Sequence, residues 1–370
     1  MKYKLSEVLT EFKEVNKNSL YEPVSVGKYG IRKRNEIYKK ELSDDYSKNK
    51  VIRKDNLIIG MGSNQIDVGV MVYDEIYSVS PAYHTYKINT SIVHSDYLEL
   101  LFKSNNATYF KKYSVATARQ GKKIDLKALL EEIIDIPSFE QQDILVSKIS
   151  DIEDLITEEE KSISLLDELT KSRFIEMFGN KDGDISLDNL CQICRGASPR
   201  PISVFITKDP NGVNWIKIGD VDPEAIYITK TEEKITQAGA SKSRRVYPGD
   251  FVLSNSMSFG RPYLLATEGC VHDGWLIISN YQKNYRPLFL YYLLRSESVQ
   301  NQFSKDAGGT TVKNLNSDIV KKTKVSLYPL DIQDEFVEFA LAIDKLKFNV
   351  QKRIEKYKEL LNKKMDEYFN

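Results

Sequence analysis

Residues 136–179 read IPSFEQQDILVSKISDIEDLITEEEKSISLLDELTKSRFIEMFG, and they predict one long helix. Their apolar residues recur at heptad spacing, which is typical of a helix that packs along a seam against a second helix. A run of about 40 residues makes a helix roughly 60 Å long, because each residue adds about 1.5 Å. The seam positions are Leu145, Ile149, Ile152, Ile156, Ile163, Leu166 and Met177.

A second stretch of the same kind ends the sequence. Pro137 and Pro329 lie 192 positions apart, and so do Gln141 and Gln333, so that each pair marks the start of one predicted helix. A fixed offset of this kind indicates an internal duplication, and the duplication governs the whole fold. The seam positions of the second helix are Phe336, Phe339, Ile343, Leu346, Val350, Ile354, Tyr357, Leu361 and Tyr368.

The two predicted helices carry opposite charge. Residues 151–168 include eight acidic residues and one lysine, whereas residues 345–364 include eight basic residues and two glutamates. Complementary flanking charges select the partner and the direction of a coiled-coil helix. We therefore expect the two helices to pair with each other in antiparallel orientation. The alternative is that each charge run is only a solvated helix face.

The rest of the chain forms two similar halves. Residues 95–104 (SDYLELLFKS) and 287–296 (PLFLYYLLRS) align at the same offset, and both predict helices among short β-rich runs. We predict an α/β (α+β) protein with two similar mixed domains, separated by two long antiparallel coiled-coil helices and related by a pseudo-two-fold repeat. The predicted limits are 1–136 for the first domain, 137–180 for the first helix, 181–328 for the second domain and 329–370 for the second helix.

Composition restricts the class of protein. The 370 residues carry 53 basic and 53 acidic side chains, so the net charge gives no global sign of nucleic-acid binding. The distribution of charge matters more than its sum, so such binding stays possible. The apolar runs are shorter than the roughly 18 residues of a membrane span, and the first residues lack the apolar core of a secretory signal. We therefore expect a cytoplasmic protein with no membrane partner.

Catalytic and metal-binding patterns are weak. Cys191 and Cys194 have the spacing of half a zinc site, but a second pair of ligands is missing from the sequence pattern, so we predict no metal. His272 and Asp273 have the residue types of a base and its orienting group, yet no nucleophile is paired with them. We therefore predict that the chain is not an enzyme.

Basic residues cluster with glycines and aromatics. Residues 24–40 (VSVGKYGIRKRNEIYKK) contain six basic residues and two tyrosines, and residues 242–245 (KSRR) form the densest basic patch of the second half. This composition is typical of a loop that meets a phosphate backbone. An exposed turn is the alternative.

Four short motifs occur in order along the duplicated chain: PSFEQ at 137–141, GASPRP at 196–201, WIKIGDV at 215–221 and PLDIQ at 329–333. With these motifs and the duplicated plan, the chain resembles the specificity (S, HsdS-like) subunits of type I restriction-modification systems over nearly its whole length. The first half departs from the pattern in part, because it has no clear equivalent of GASPRP and WIKIGDV, and its base-contacting loops are therefore harder to place.

The resemblance implies two target recognition domains, each of which reads one half of a split site on double-stranded DNA. It implies that the helices set the spacing, with half-sites on one face of the duplex about a helical turn, roughly 34–36 Å, apart. It also implies no activity and no cofactor in the chain itself. The partners would be adenine methyltransferase (M) subunits, which use S-adenosylmethionine and dock on the helices, and a restriction (R) subunit, which uses ATP and Mg.

On this interpretation, lysine and arginine hold the phosphates, whereas asparagine, glutamine, serine, arginine and tyrosine read the base edges. The predicted DNA contacts of the first domain are Lys28, Tyr29, Arg32, Arg34, Ser63, Asn64, Arg119 and Lys122. Those of the second domain are Ser198, Arg200, Lys217, Lys242, Arg244, Asn255, Arg261, Thr310 and Lys313.

Two other functions stay open. One is a scaffold or interaction protein, whose coiled coil mediates oligomerisation and whose domains bind protein; it predicts no salt-dependent DNA binding. The other is the recognition part of a fused type II enzyme, or an orphan S-like subunit of a type II methyltransferase. A neighbouring methyltransferase reading frame would distinguish that function from a type I system.

Overall fold

The computed structural model describes residues 1–27, 30–37, 45–61, 66–109, 111–116, 122–179, 182–222, 225–255, 259–306 and 314–369. The chain forms two compact units, which we call unit 1 (Met1–Ser162 with Val350–Asn370) and unit 2 (Ile163–Asn349). Each unit therefore contains one globular domain and one end of each long helix. The predicted domain limits, which follow the helix ends, stay predictions. Within the described ranges, no helix has both the length and the apolar character needed to cross a membrane.

The helices include the two long ones that heptad spacing predicts, each of 40 residues. The aligned segments 95–104 and 287–296 are helical as well. The helices are α1 (Leu5–Val8), α2 (Ser95–Tyr109), α3 (Leu126–Leu130), α4 (Phe139–Phe178), α5 (Gln237–Ala240), α6 (Pro287–Arg295), α7 (Glu297–Asp306), α8 (Ser317–Lys322) and α9 (Leu330–Phe369).

The domain of unit 1 is built on antiparallel strands. In its described residues a sheet runs in the order β2-β9-β6-β7, beside the hairpin β3-β4 and the pairs β5-β8, β1-β12 and β10-β11. These strands are β1 (Lys2–Lys4), β2 (Leu9–Glu11), β3 (Val24–Gly27), β4 (Gly30–Lys33), β5 (Lys50–Ile52), β6 (Asn56–Met61), β7 (Ile66–Val70), β8 (Tyr77–Val79), β9 (His84–Ile88), β10 (Ser114–Ala116), β11 (Lys122–Ile124) and β12 (Ile133–Asp135).

The domain of unit 2 has two sheets in its described residues, β14-β23-β20-β21-β17 and β15-β18-β16-β22-β19, and a pair β13-β24. Two of its pairings are parallel, β16 with β22 and β17 with β21. The strands are β13 (Ile185–Ser186), β14 (Gln192–Arg195), β15 (Ile206–Thr207), β16 (Val213–Ile216), β17 (Tyr227–Ile228), β18 (Glu233–Ile235), β19 (Arg244–Val246), β20 (Phe251–Ser254), β21 (Pro262–Leu265), β22 (Gly269–Val271), β23 (Trp275–Ser279) and β24 (Lys324–Val325).

Each domain packs its core against the helix ends of its own unit. In unit 1 the core continues from the sheet through Tyr97 to Phe369 at the end of α9, with ring centroids 5.5 Å apart. In unit 2 it continues through Phe289 to Phe174 of α4 and Phe336 of α9, and the last two rings lie 5.2 Å apart. Burial of such large aromatic surfaces joins helices to domains.

Side-chain contacts show that α4 and α9 run antiparallel within each unit. In unit 1 Lys148 meets Tyr368 and Glu159 meets Arg353, and in unit 2 Asp167 meets Lys347 and Arg173 meets Glu335. In unit 1 the guanidinium of Arg353 donates to both carboxylate oxygens of Glu159 at 2.6 and 2.8 Å, and Lys358 contacts Glu160 at 2.9 Å. The acidic run of the first helix therefore meets the basic run of the second, as the charge patterns predict. In unit 2, Lys347 contacts Asp167 at 2.6 Å.

One predicted seam position is wrong. Leu346 is 51% exposed, and the seam of α9 passes instead from buried Ile343 through Lys347 to buried Val350. Steps of three and four residues are both compatible with one helix face, so spacing alone did not distinguish the two positions. The Nζ of Lys347 reaches Asp167 at the seam, which explains why a charged residue occupies a heptad position.

The glutamine that joins the start of the first long helix to the domain is Gln142, one residue after the predicted Gln141. Gln142 is fully buried, accepts the N–H of His94 at 2.8 Å and donates to the carbonyl of Pro137 at 3.0 Å. Gln333 makes the equivalent bonds, accepting the N–H of Arg286 at 2.9 Å. Gln141 is exposed, so the structural equivalent of Gln333 is Gln142 and not Gln141.

Candidate nucleic-acid interface

An open cavity of about 950 Å³ lies in unit 2. It is bordered by the segment 198–202, by the end of β16 with the following residues 215–219, by Asn255 at the end of β20, and by the turn 272–274 between β22 and β23. Large clefts that combine apolar walls with a few convergent polar groups are the usual form of ligand sites. Four predicted contact residues line this one: Ser198, Arg200, Lys217 and Asn255.

Asp273 organises the polar groups of the cavity. Its Oδ1 accepts the hydroxyl of Ser198 at 2.6 Å, and its Oδ2 accepts Nη2 of Arg200 at 3.0 Å. Its backbone carbonyl accepts Nε of Arg195 at 2.7 Å and lies 3.5 Å from the amide nitrogen of Asn255. One residue therefore holds two arginines, a serine and an asparagine at a single turn.

Two backbone segments approach closely at this turn, which explains why the first residue of GASPRP, Gly196, is a glycine. A side chain at Gly196 would lie 2.1 Å from the carbonyl oxygen of His272, so the two segments meet without room for a Cβ atom. The N–H of Gly196 also donates to the carbonyl of Trp275 at 2.8 Å. Glycine thus allows the segment 196–201 to lie against the 272–275 turn.

Positive charge exceeds negative charge around Asp273. The hydrogen bond from Ser198, together with the nearby Arg200 and Arg195, holds the pKa of Asp273 below its usual range, so this carboxylate stays ionised. One carboxylate faces two guanidinium groups. The cluster keeps a net positive charge, which suits an anionic ligand.

His272 is a neutral hydrogen-bonding group in the cavity wall. Burial lowers its pKa, and its Nδ1 accepts the N–H of Gly274 at 2.7 Å. The proton of the neutral ring therefore lies on Nε2. Its ring lies 6.1 Å from that of Trp275, over a buried apolar cluster.

Among the described predicted contacts of unit 2, Lys217 lines the cavity but is held in an ion pair, whereas Lys242, Arg244 and Arg261 lie outside the cavity lining. Lys217 is paired with Glu233 at 2.9 Å, and the hydrogen bond between them raises the pKa of the lysine. Lys242 lies over the ring of Phe205 at 5.0 Å. Arg261 follows Gly260, before β21. Arg244 is exposed on β19, and its side chain has no hydrogen-bond or ion-pair partner in the part of unit 2 that the structure describes.

Unit 1 places its predicted contacts further apart. Arg32 is exposed on the hairpin strand β4, and Lys122 is exposed on β11. Arg34 lies over the ring of Tyr46 at 5.3 Å and donates to the Tyr46 hydroxyl at 3.2 Å. No contact in the described part of unit 1 joins these residues into one site. Seven further predicted contacts lie outside the described residues: Lys28, Tyr29, Ser63, Asn64, Arg119, Thr310 and Lys313.

The DNA contacts predicted from the sequence did not include Asp273. We considered it only with His272 as a catalytic pair, whereas the structure gives it the role of holding Ser198 and Arg200. The one signal in the sequence is that an aspartate follows the buried strand β22, at a turn. Among the described residues no group of three or more metal-ligating side chains comes together.

Several solved structures are similar to this chain. A chain from the structure described as "Structural basis underlying complex assembly and conformational transition of the type I R-M system" has a TM-score of 0.63 and 16% identity, and the match covers 100% of this chain and 97% of that one. The HsdS subunit from Thermoanaerobacter tengcongensis has a TM-score of 0.48 and 17% identity, over 100% and 96% of the two chains. The S subunit from M. genitalium has a TM-score of 0.47 and 11% identity, over 99% and 95%.

The sequence itself carries a family match in both halves. Residues 1–168 and 183–358 each match the family described as "Type I restriction modification DNA specificity domain". The two matches cover most of the chain and follow the duplication that the long helices reveal. The chain therefore belongs to the type I restriction-modification DNA specificity family.

Proposed function

We propose that this chain is the non-catalytic specificity subunit of a type I restriction-modification complex, and that each of its domains reads one half of a bipartite DNA site. The observation that carries the proposal is the double family match, one on each half of a duplicated chain. Two similar DNA specificity domains in one chain call for two half-sites. The two long helices then set the length of the unread spacer between them.

The cavity of unit 2 supports DNA as the ligand. Ser198, Arg200 and Asn255 converge on one turn, and Arg244 is an exposed cation on a neighbouring strand. Hydroxyl, amide and guanidinium groups are the side chains that read base edges, whereas cations without protein partners suit phosphates. Asp273 and Arg195 complete a cluster of net positive charge, which favours a polyanion.

Methylation of the host DNA tests the function. The chain is co-expressed with an adenine methyltransferase subunit from the same genome, and N6-methyladenine is mapped on the DNA. We expect a split motif that appears only when this chain is present. A methyltransferase that marks the same motif without the chain, or marks none with it, would contradict the proposal and favour the scaffold function.

The helix pair supplies a docking surface for the M subunit in this proposal. In unit 2, Leu165 and Leu169 of α4 and Leu346 of α9 are 55%, 48% and 51% exposed, on the two helices that the Lys347–Asp167 ion pair joins. Leu165 and Leu169 are four residues apart and so lie on one face of α4, and exposed apolar faces are typical of protein–protein contact surfaces. The transferase and its S-adenosylmethionine, and the restriction subunit with ATP and Mg, then supply all the chemistry.

A matched pair of variants tests the docking surface. Leu169→Asp places a charge on the exposed leucine face of α4, and we expect it to weaken co-purification with the M subunit by about tenfold or more, since hot-spot residues contribute about 2 kcal/mol or more. Ser164→Asp adds the same charge to an exposed position of α4 outside this group and should leave the affinity unchanged. Equal affinities for the two variants would place the docking surface elsewhere.

A further inference from the structure

The guanidinium of Arg200 is exposed and yet held in place. Its side chain is 79% exposed, and Nη2 donates to Oδ2 of Asp273 at 3.0 Å. Asp273 is itself fixed, because it accepts the hydroxyl of Ser198 at 2.6 Å and donates its own N–H to the same oxygen at 3.2 Å. Pro199 and Pro201 on either side limit the backbone of Arg200. The arginine is thus oriented before any ligand arrives.

We infer that Arg200, oriented by Asp273, reads the guanine of one G·C pair in the half-site of the second domain. The inference rests on the function proposed above and specifies its ligand. A guanidinium carries several N–H donors in one plane, and among the described residues only the bond to Asp273 uses any of them. The remaining donors match the two acceptors of guanine, O6 and N7, in the major groove.

The carboxylate favours a base over a phosphate as the ligand of Arg200. Asp273 is ionised and 39% exposed, so its charge offsets that of Arg200 and weakens the attraction of this arginine for a phosphate. The same oxygens can accept the amino group of cytosine, which lies beside guanine O6 in a G·C pair. An arginine next to a carboxylate therefore presents donors and an acceptor in the order that a G·C pair requires. An A·T pair offers one acceptor next to an amino donor and does not match it.

A second arginine of the same domain, Arg244, differs from Arg200 in having no carboxylate partner among the described residues. Arg244 is exposed on β19, and its side chain has no hydrogen-bond or ion-pair partner in the described part of unit 2. Without a carboxylate to orient it, Arg244 presents an exposed charge that suits a phosphate. Arg200 and Arg244 thus have the same chemistry in two different settings, and they serve as matched positions for the test.

The test uses the chain assembled with its methyltransferase subunits and a set of duplexes in which each base pair of both half-sites is changed in turn. For the unaltered chain we expect replacement of one G·C pair in the second half-site to weaken binding about 10- to 100-fold. Arg200→Lys keeps the charge but loses the planar donors, and should reduce that discrimination to about twofold at this pair alone. Asp273→Asn should reduce that discrimination in part, at the same pair.

Arg244→Ala is the control, and should weaken binding to all duplexes by the same factor and lower the salt dependence by about one phosphate contact. The inference is overturned if Arg200→Lys keeps full discrimination at every pair, if the pair it relaxes is A·T, or if Arg200→Ala weakens all duplexes equally, as a phosphate contact does. In those outcomes the first half-site is still read and the proposed function stands. If the unaltered complex shows no sequence preference in either half-site, the proposed function itself fails.

Discussion

Phe336→Ala is expected to lower the free energy of unfolding of unit 2 by about 3–5 kcal/mol. Phe336 is fully buried where α9 meets the domain, and its ring lies 5.2 Å from Phe174 of α4 and 5.1 Å from Tyr292 of α6. Its removal leaves a cavity between three helices and deletes their shared aromatic contacts. For a unit of this size the loss corresponds to a fall in melting temperature of roughly 10 °C. Urea unfolding and calorimetry measure both quantities.

Phe348→Ala is the matched control for this prediction. Phe348 lies on the same helix and in the same unit, but its side chain is 59% exposed. Truncation of an exposed side chain changes stability by less than about 0.5 kcal/mol. Similar losses for Phe336→Ala and Phe348→Ala would mean that the aromatic cluster does not join α9 to the domain.

Gln142→Ala is expected to destabilise unit 1 by about 2–4 kcal/mol, because it leaves two buried backbone groups without partners and each costs about 1–3 kcal/mol. The side chain now satisfies the N–H of His94, at the start of α2, and the carbonyl of Pro137, before α4. These two bonds tie the first long helix to the domain. Equilibrium unfolding in urea measures the loss.

Gln141→Ala tests the register of the repeat at the same time. Gln141 is exposed, and its Oε1 accepts only the N–H of Ser138 at 3.3 Å in the described residues, so we expect a change within about 0.5 kcal/mol. Gln333→Ala in unit 2 should behave like Gln142→Ala, because Gln333 bonds to Arg286 and to two backbone carbonyls. A larger loss for Gln141→Ala than for Gln142→Ala would show that the equivalence is wrong.

Local patterns predicted the elements well and their register less well. The apolar spacing gave both long helices to within a few residues of their observed ends, and the opposite charges gave their antiparallel pairing. The position of Leu346 was wrong, and so was the choice of Gln141. Both errors are shifts of one residue. Neighbouring positions of one helix satisfy the same periodicity, and only the partner surface distinguishes them.

For the candidate site, the sequence predicted individual residues but not the contacts between them. Ser198, Arg200, Lys217 and Asn255 were predicted one by one from residue type and motif, and the structure brings them to one cavity. Asp273, which holds two of them, was omitted. A hydrogen bond between Ser198 and Asp273 joins residues 75 positions apart, and no pattern along the chain reports such a contact.

The sequence by itself determined the duplication, the two long helices, their charge-directed pairing and the mixed character of the domains, because these depend on composition and period along the chain. Only the tertiary structure decided that Lys347 and not Leu346 lies on the seam, that Gln142 and not Gln141 binds the domain, and that Asp273 orients Arg200. These choices depend on which surfaces meet after folding. Burial and hydrogen bonding between distant segments settle them.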